Sequence, residues 1–209
     1  ILYNAVLALM DTPGQTLLGV YRMLVDDDFR KQIVANVKDP VVKMFWTEEY
    51  ENFDPRFRRE ITAPVQNKVG QFLSSAPMRN IIGQTKTSVD LGFVMNERRI
   101  FLANLSKGKM GEDKSNLLGS VLVTKMYLAA MSRADASANV LADLPSFYFY
   151  VDEFQSFANE SFADILSEAR KYKLNLIIAH QYIEQMEEEV RDAVFGNVGT
   201  TASFRVGPF

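Results

Sequence analysis

The sequence predicts an α/β fold: an open, mostly parallel sheet flanked by helices over residues 83–209, preceded by an all-helical segment over residues 1–82. Three observations carry this reading. After residue 85, short apolar runs recur at 100–105 (IFLANL), 147–151 (FYFYV), 174–179 (LNLIIA) and, more weakly, 200–206 (TTASFRV). Runs of that length suit strands covered on both faces, as in the interior of a parallel sheet. Amphipathic stretches of crossover length separate them, giving the order β-α-β-α-β-α-β. Before residue 83, helix-start signals take the place of such runs.

Taken in order, residues 1–10 (ILYNAVLALM) are amphipathic, and Asp11-Thr12-Pro13-Gly14 predicts a turn after this first helix. Leu17, Val20, Tyr21 and Leu24 are spaced for a second helix. Asp39-Pro40 and Asp54-Pro55 each place a capping carboxylate before a proline. Proline loses nothing at the first helical position, where its N–H would be unpaired anyway. From Asp39 onward, Val42, Phe45, Trp46 and Tyr50 recur at helical spacing, and Pro64 should kink or divide the helix that begins near Pro55. In the second half, helices are expected over 115–131, with a stripe of Leu118, Val121, Leu122 and Met126, and over 161–172, with Phe162, Ile165, Leu166 and Ala169. A third is expected over 183–195, ended by Gly196.

Composition narrows the chemistry. A chain of 209 residues, 47% of them hydrophobic, can bury a sizeable core. With no cysteine there is no disulfide framework, thiol nucleophile, iron-sulfur cluster or cysteine-rich zinc site. Histidine catalysis would have to run through His180, and one histidine makes no metal site. No Gly-x-Ser-x-Gly elbow supports a hydrolase triad. A net charge of -3 gives no general attraction for nucleic acid, so DNA contact needs local basic patches. No apolar run approaches the roughly 18 residues needed to cross a bilayer, and no leader pattern opens the chain. Residues 1–10 are already amphipathic and begin with Ile1, so the chain reads as a piece of a larger protein, and its cysteine-free chemistry fits a cytoplasmic compartment.

Ligands bind outside the carboxyl ends of parallel strands. After FYFYV come Asp152 and Glu153, the Walker B pattern of P-loop ATPases. A buried strand there holds the first carboxylate rigidly for Mg²⁺, and the second can orient or deprotonate an attacking water. The alternative is a loop start or a helix cap. LNLIIA leads to His180 and Gln181. The Gln181 amide, both donor and acceptor, can bond a γ-phosphate or the lytic water, whereas His180 reads as structural. Arg170, about a right angle from the apolar stripe of its helix, is either a surface partner of Glu168 and the helix C-terminus or an arginine finger for a neighbouring subunit. Lys107, Lys109 and Lys114, with Gly108 and Gly111, follow IFLANL and are candidates for DNA contact, with a solvated connection as the alternative. Arg56, Arg58 and Arg59 read as a solvated helix face, as do Glu187, Glu188 and Glu189.

The segments IFLANLSKGKMGEDKSNLLGSVLVTKMYLAAMSRA, FYFYVDEFQSFANESFADILSEARKYKLNLIIAHQYIEQM and FGNVGTTASFRVG resemble the C-terminal motor region of conjugative DNA-transfer ATPases. These are the type IV secretion coupling proteins of the HerA-FtsK superfamily. The resemblance spans most of residues 80–207, and residues 1–80 look like the helical insertion of a bacterial subgroup. It implies a RecA-like P-loop fold in a homo-hexamer that moves DNA with ATP and Mg²⁺, at the inner face of a membrane through segments absent here. Secretion-system or relaxosome proteins would be its partners. It further implies Asp152 as the Mg²⁺-side carboxylate, acting through water, and Glu153 as the catalytic glutamate. Gln181 would be the γ-phosphate sensor, Arg170 the arginine presented in trans and Arg205 a further nucleotide-binding residue.

One departure stands out: the chain has no Gly-Lys-Ser or Gly-Lys-Thr phosphate loop. The Walker A part is therefore absent, and the chain by itself is expected not to hydrolyse ATP. Rival readings are a related soluble secretion or DNA-repair motor and a non-catalytic ATPase-like interaction module.

Overall fold

Aspartate caps or prolines set four of the six helix starts of the first unit, Ile1–Ser88. In the computed structural model, which describes residues 1–158 and 161–204, its helices are α1 (Leu2–Met10), α2 (Leu18–Val25), α3 (Asp27–Asn36), α4 (Pro40–Met44), α5 (Pro55–Leu73) and α6 (Ala76–Ile82). The Asp26 carboxylate accepts from the Phe29 N–H at 2.9 Å, Asp39 from Val41 at 2.8 Å and Asp54 from Arg56 at 2.8 Å. Each satisfies a donor that the first helical turn leaves unpaired. Gly14 supplies the positive φ, 78°, of the turn between α1 and α2.

A π-helical turn, Phe45–Tyr50, continues α4 and carries the centre of this unit's core, with Trp46 and Tyr50 fully buried 4.8 Å apart. The Trp46 indole donates to the Asn4 carbonyl at 3.2 Å, tying the turn to α1. Arg30 is buried beneath the Tyr50 ring and donates to Asp27, Glu51 and the Met23 carbonyl. Burial pulls its guanidinium down, but the two carboxylates outweigh that and hold it above its ordinary value. Pro64 does not divide α5. Both Pro64 and Glu60, whose carbonyl loses its helical partner, lie on the exposed side, so water can replace the missing bond.

The second unit, Val89–Phe209, contains α7 (Leu91–Asn96), α8 (Lys107–Met110), α9 (Glu112–Met131), α10 (Ala138–Asp143), β1 (Phe147–Val151), α11 (Ser161–Glu168), β2 (Leu174–Ile178) and α12 (Glu188–Asn197). The two strands are parallel, in register from Phe147 opposite Leu174 to Val151 opposite Ile178, with α11 as the crossover. Phe154, Phe162, Ile165, Ala169, Val190 and Val194 build the core around them.

Several expectations are corrected. Residues 100–105 form no strand, and Ile100 and Leu102 are each 89% exposed. A strand exists only by pairing, and this segment borders β1 across a cavity of about 1250 Å³ instead of bonding to it. Residues 200–204 also form no strand, and 205–206 lie outside the described residues. β1 is not covered on both faces: Phe147, Phe149 and Val151 join the core, while Tyr148 and Tyr150 are exposed. The buried stripe of α9 is Ser115, Gly119, Val123, Met126 and Ala130, leaving Val121 exposed. Its small residues allow close approach: a Cβ added to Gly119 would stand 2.2 Å from the Phe157 ring. Last, α12 starts at Glu188 after a 3-10 turn, Ile183–Gln185, and runs through Gly196.

The amino ends of the strands are pinned by a buried arginine. Arg133 donates to the carbonyls of Pro145 (3.2 Å) and Tyr172 (2.9 Å), one before each strand, and to Asn96 Oδ1. Burial holds its guanidinium below the ordinary value. Lys173, at φ 57°, sends its ammonium to the Ala142 and Leu144 carbonyls. Among the described residues no helix is long and apolar enough to cross a membrane.

Candidate functional site

The carboxyl ends of β1 and β2 bring three of the expected site residues together. Pairing continues one step beyond the strands: the Ala179 N–H donates to the Val151 carbonyl at 2.9 Å, and the Phe154 N–H donates to the Ala179 carbonyl at 2.9 Å. Between those bonds the chain must turn sharply. Phe154 goes into the core, edge-on to Phe162 at 4.5 Å, so Glu153 is thrown outward. Its backbone sits at φ 51°, ψ 45°. A non-glycine residue held there carries strain of about 1 kcal/mol, which persists only where the surroundings fix it.

The Glu153 carboxylate is held from two sides. Gln181 Nε2 donates to Oε1 across the gap between the strand ends. Gln155 Nε2 donates to Oε2 at 2.7 Å from the turn that follows. Asp152 is exposed, and its Oδ1 accepts the Glu153 N–H at 3.0 Å. Such an exposed carboxylate at a rigid strand end is the hard oxygen donor that Mg²⁺ takes. Among the described residues no cluster of three or more His, Cys, Asp or Glu is arranged to hold a metal ion. His180 is half-buried, and its Nδ1 has no hydrogen-bond partner among the described residues.

Arg170 lies elsewhere. It is exposed on the 3-10 turn Ala169–Tyr172, before β2, and thus at the opposite end of the strands from Glu153. Five strand residues put it roughly 16 Å away along the sheet. Glu168, a surface partner weighed from sequence, pairs with Lys171 at 3.4 Å instead. Arg205 lies outside the described residues.

The lysine loop folds into the short α8, and Gly111, at φ 85°, separates it from α9. Lys109 is exposed and Lys114 half-buried. Lys107 lines the same cavity as Asp152 and Glu153, a placement that spacing alone did not indicate. Its ammonium pairs with Glu112 at 2.8 Å, and that hydrogen bond holds the Glu112 carboxyl below the usual carboxylate range.

Sequence reasoning also passed over Gln155. The signal was available, an amide two residues past a glutamate where an apolar strand ends, but it acquires meaning only once the turn at Glu153 aims both side chains at each other.

Residues 146–207 match the family model described as the TraM recognition site of TraD and TraG. The matched segment contains β1, α11, β2 and α12, and with them Asp152, Glu153, Gln155 and Gln181. It is similar to the C-terminal region of conjugative DNA-transfer coupling proteins. No curated protein and no solved structure matches the chain.

Proposed function

We propose that this chain contributes the Walker B side of an ATP-driven DNA translocase of the conjugative coupling type, a RecA-like P-loop motor working as a ring. The observation that carries the reading is the Glu153 carboxylate received by Gln181 across the carboxyl ends of two parallel strands, with Asp152 beside it. Bound Mg²⁺ would supply charge neutralisation for the phosphates, with Asp152 holding it through water. Glu153 orients a water whose oxygen attacks the γ-phosphorus and takes one of that water's protons, as the bond to the bridging oxygen breaks to leave ADP and phosphate. Gln181 senses the γ-phosphate. Arg170, exposed and too far from its own Glu153, serves a neighbouring subunit. The phosphate-cradling loop, which the chain does not carry, must come from other residues of the motor. Lys107, Lys109 and Lys114 remain the candidate DNA contacts.

The test is Glu153→Gln in the assembled motor. Nucleotide binding stays, while turnover falls by about 10²–10⁴-fold, the usual contribution of a positioned base. Turnover within a few-fold of the unsubstituted motor overturns the assignment. The chain by itself, assayed with Mg²⁺ and ATP, shows no turnover.

A second reading is favoured by the family description itself, which is a recognition site. In it the segment docks a TraM-like protein without catalysis, using exposed side chains such as Tyr148, Tyr150 and Tyr182. DNA transfer unchanged by Glu153→Gln but lost on Tyr148→Ala with Tyr150→Ala would favour it.

A further inference from the structure

We propose that Gln155 is a positioning residue for Glu153, forming with Gln181 a two-armed amide hold from which Gln181 is the arm that lets go. The proposal rests on the hydrolytic reading above and deepens it.

The two arms bind the same carboxylate but are anchored differently. Gln155 sits half-buried in the 3-10 turn Phe154–Ser156, whose backbone is rooted by fully buried Phe154 on one side and buried Phe157 on the other. The Phe157 carbonyl accepts from Ser120 Oγ at 3.3 Å, and its ring packs on Gly119, so α9 clamps this turn. The Gln155 amide has one polar tie: Nε2 donates to Glu153 Oε2, while its own Oε1 is buried without a partner among the described residues. Rotating the amide by half a turn would set oxygen against carboxylate, so among the described residues Glu153 is what fixes its orientation. Gln181, by contrast, is exposed in the bend beyond β2. Among the described residues its side chain makes no hydrogen bond besides that to Glu153, so it can turn to another acceptor.

This asymmetry has a chemical use. With both arms in place, each Glu153 oxygen already accepts an amide N–H. An anionic phosphate oxygen is an ionised acceptor just as the carboxylate is, so Gln181 can exchange one charge-assisted hydrogen bond for another, while Glu153 keeps the Gln155 donor. Once Gln181 turns away, Oε1 is open to a water, while Gln155 keeps the carboxylate from rotating. The pair thus parks the base until nucleotide arrives and then aims it.

Two measurements test the hold and its use separately. In the ¹⁵N-labelled chain, the side-chain NH₂ signals of Gln155 and Gln181 are assigned by single Gln→Ala substitutions. Both should move in Glu153→Ala, and signals that stay put overturn the two-armed hold. In the assembled motor, Gln155→Met keeps the side-chain volume and removes the donor. It should lower kcat by about tenfold to a hundredfold, the scale of a misaimed catalytic group, with KM and ATP affinity within about twofold. A merely structural glutamine would be replaced by methionine without a change in kcat, and that result overturns the positioning role. If the amide signals move but the unsubstituted motor does not hydrolyse ATP, the hold stands and the hydrolytic reading is what fails.

Discussion

The two ends of the β1–β2 pair treat charge in opposite ways. At the amino end, Arg133 is buried and all its hydrogen bonds go to neutral oxygens: two carbonyls and one side-chain amide. At the carboxyl end, Glu153 is only half-buried, sits on strained backbone, and is held by neutral amides, one of which is exposed. A buried cation whose partners are main-chain carbonyls cannot exchange them without unfolding its surroundings. An anion held by side-chain amides can. The amino end is built to stay and the carboxyl end to change partners, which is the division expected of a site at the carboxyl edge of a parallel sheet.

The largest expected effects fall on either side of that division. Glu153→Gln, which on the function proposed above lowers turnover in the motor, should leave the urea-unfolding free energy of this chain within about 0.5 kcal/mol, as for a substitution outside the core. Arg133→Ala should do the reverse, lowering stability by about 2–4 kcal/mol because two carbonyls and Asn96 lose their donors and a cavity remains. Arg133→Lys recovers part of it, since an ammonium cannot span all three acceptors with the planar fork of a guanidinium. An unfolding curve unchanged by Arg133→Ala would show that the amino end does not depend on this cation.

A smaller effect links packing on α9 to the carboxyl end. Gly119→Ala drives a methyl group into the Phe157 ring, 2.2 Å from the nearest ring carbon. Overpacking of that kind costs about 1–3 kcal/mol. Because Phe157 roots the turn that carries Gln155, the same substitution should also shift the Gln155 side-chain amide signal, coupling a packing defect to the carboxyl end. A loss of stability with that signal fixed would show that the turn is held by Phe154 alone.

How much of this was legible in the sequence differs between elements for physical reasons. Asp39-Pro40 and Asp54-Pro55 mark real helix starts because capping is local: donor and acceptor lie within three residues. FYFYV and LNLIIA become strands because each has the other as a partner. IFLANL is as apolar as LNLIIA but has no strand bonded to it among the described residues, so composition alone misplaces it. On α9 the expected Met126 is buried, but Leu118 and Val121 look like core by type whereas Gly119 and Ser115 are the residues that fit. At the site, Asp152, Glu153 and Gln181 follow from strand ends. Gln155 depends on a positive φ at Glu153, which no side-chain pattern announces, and Lys107 reaches the same cavity only through the fold.

The smallest expected effect concerns that lysine. The hydrogen bond and charge of Lys107 keep the Glu112 carboxyl below the usual carboxylate range. A depressed folded value stabilises the fold above the ordinary glutamate titration and loses that contribution as pH falls through the folded value, so any gain from this pair disappears on acidification. Both side chains are largely exposed, so the stability change is small and salt-screened. The titration itself is the informative measurement. Followed by ¹³C NMR, the Glu112 carboxyl should titrate low in the unsubstituted chain and move back up in Lys107→Ala. If it does, Lys107 is already engaged at neutral pH, and binding a phosphate, whether of DNA or of nucleotide, requires it to leave Glu112 first. Glu112→Gln should then strengthen binding of a short DNA duplex at low salt. Lys109 and Lys114, with no partner in this pair, should be unaffected by the substitution. Equal Glu112 titration with and without Lys107 would instead leave all three lysines equivalent as candidate phosphate contacts.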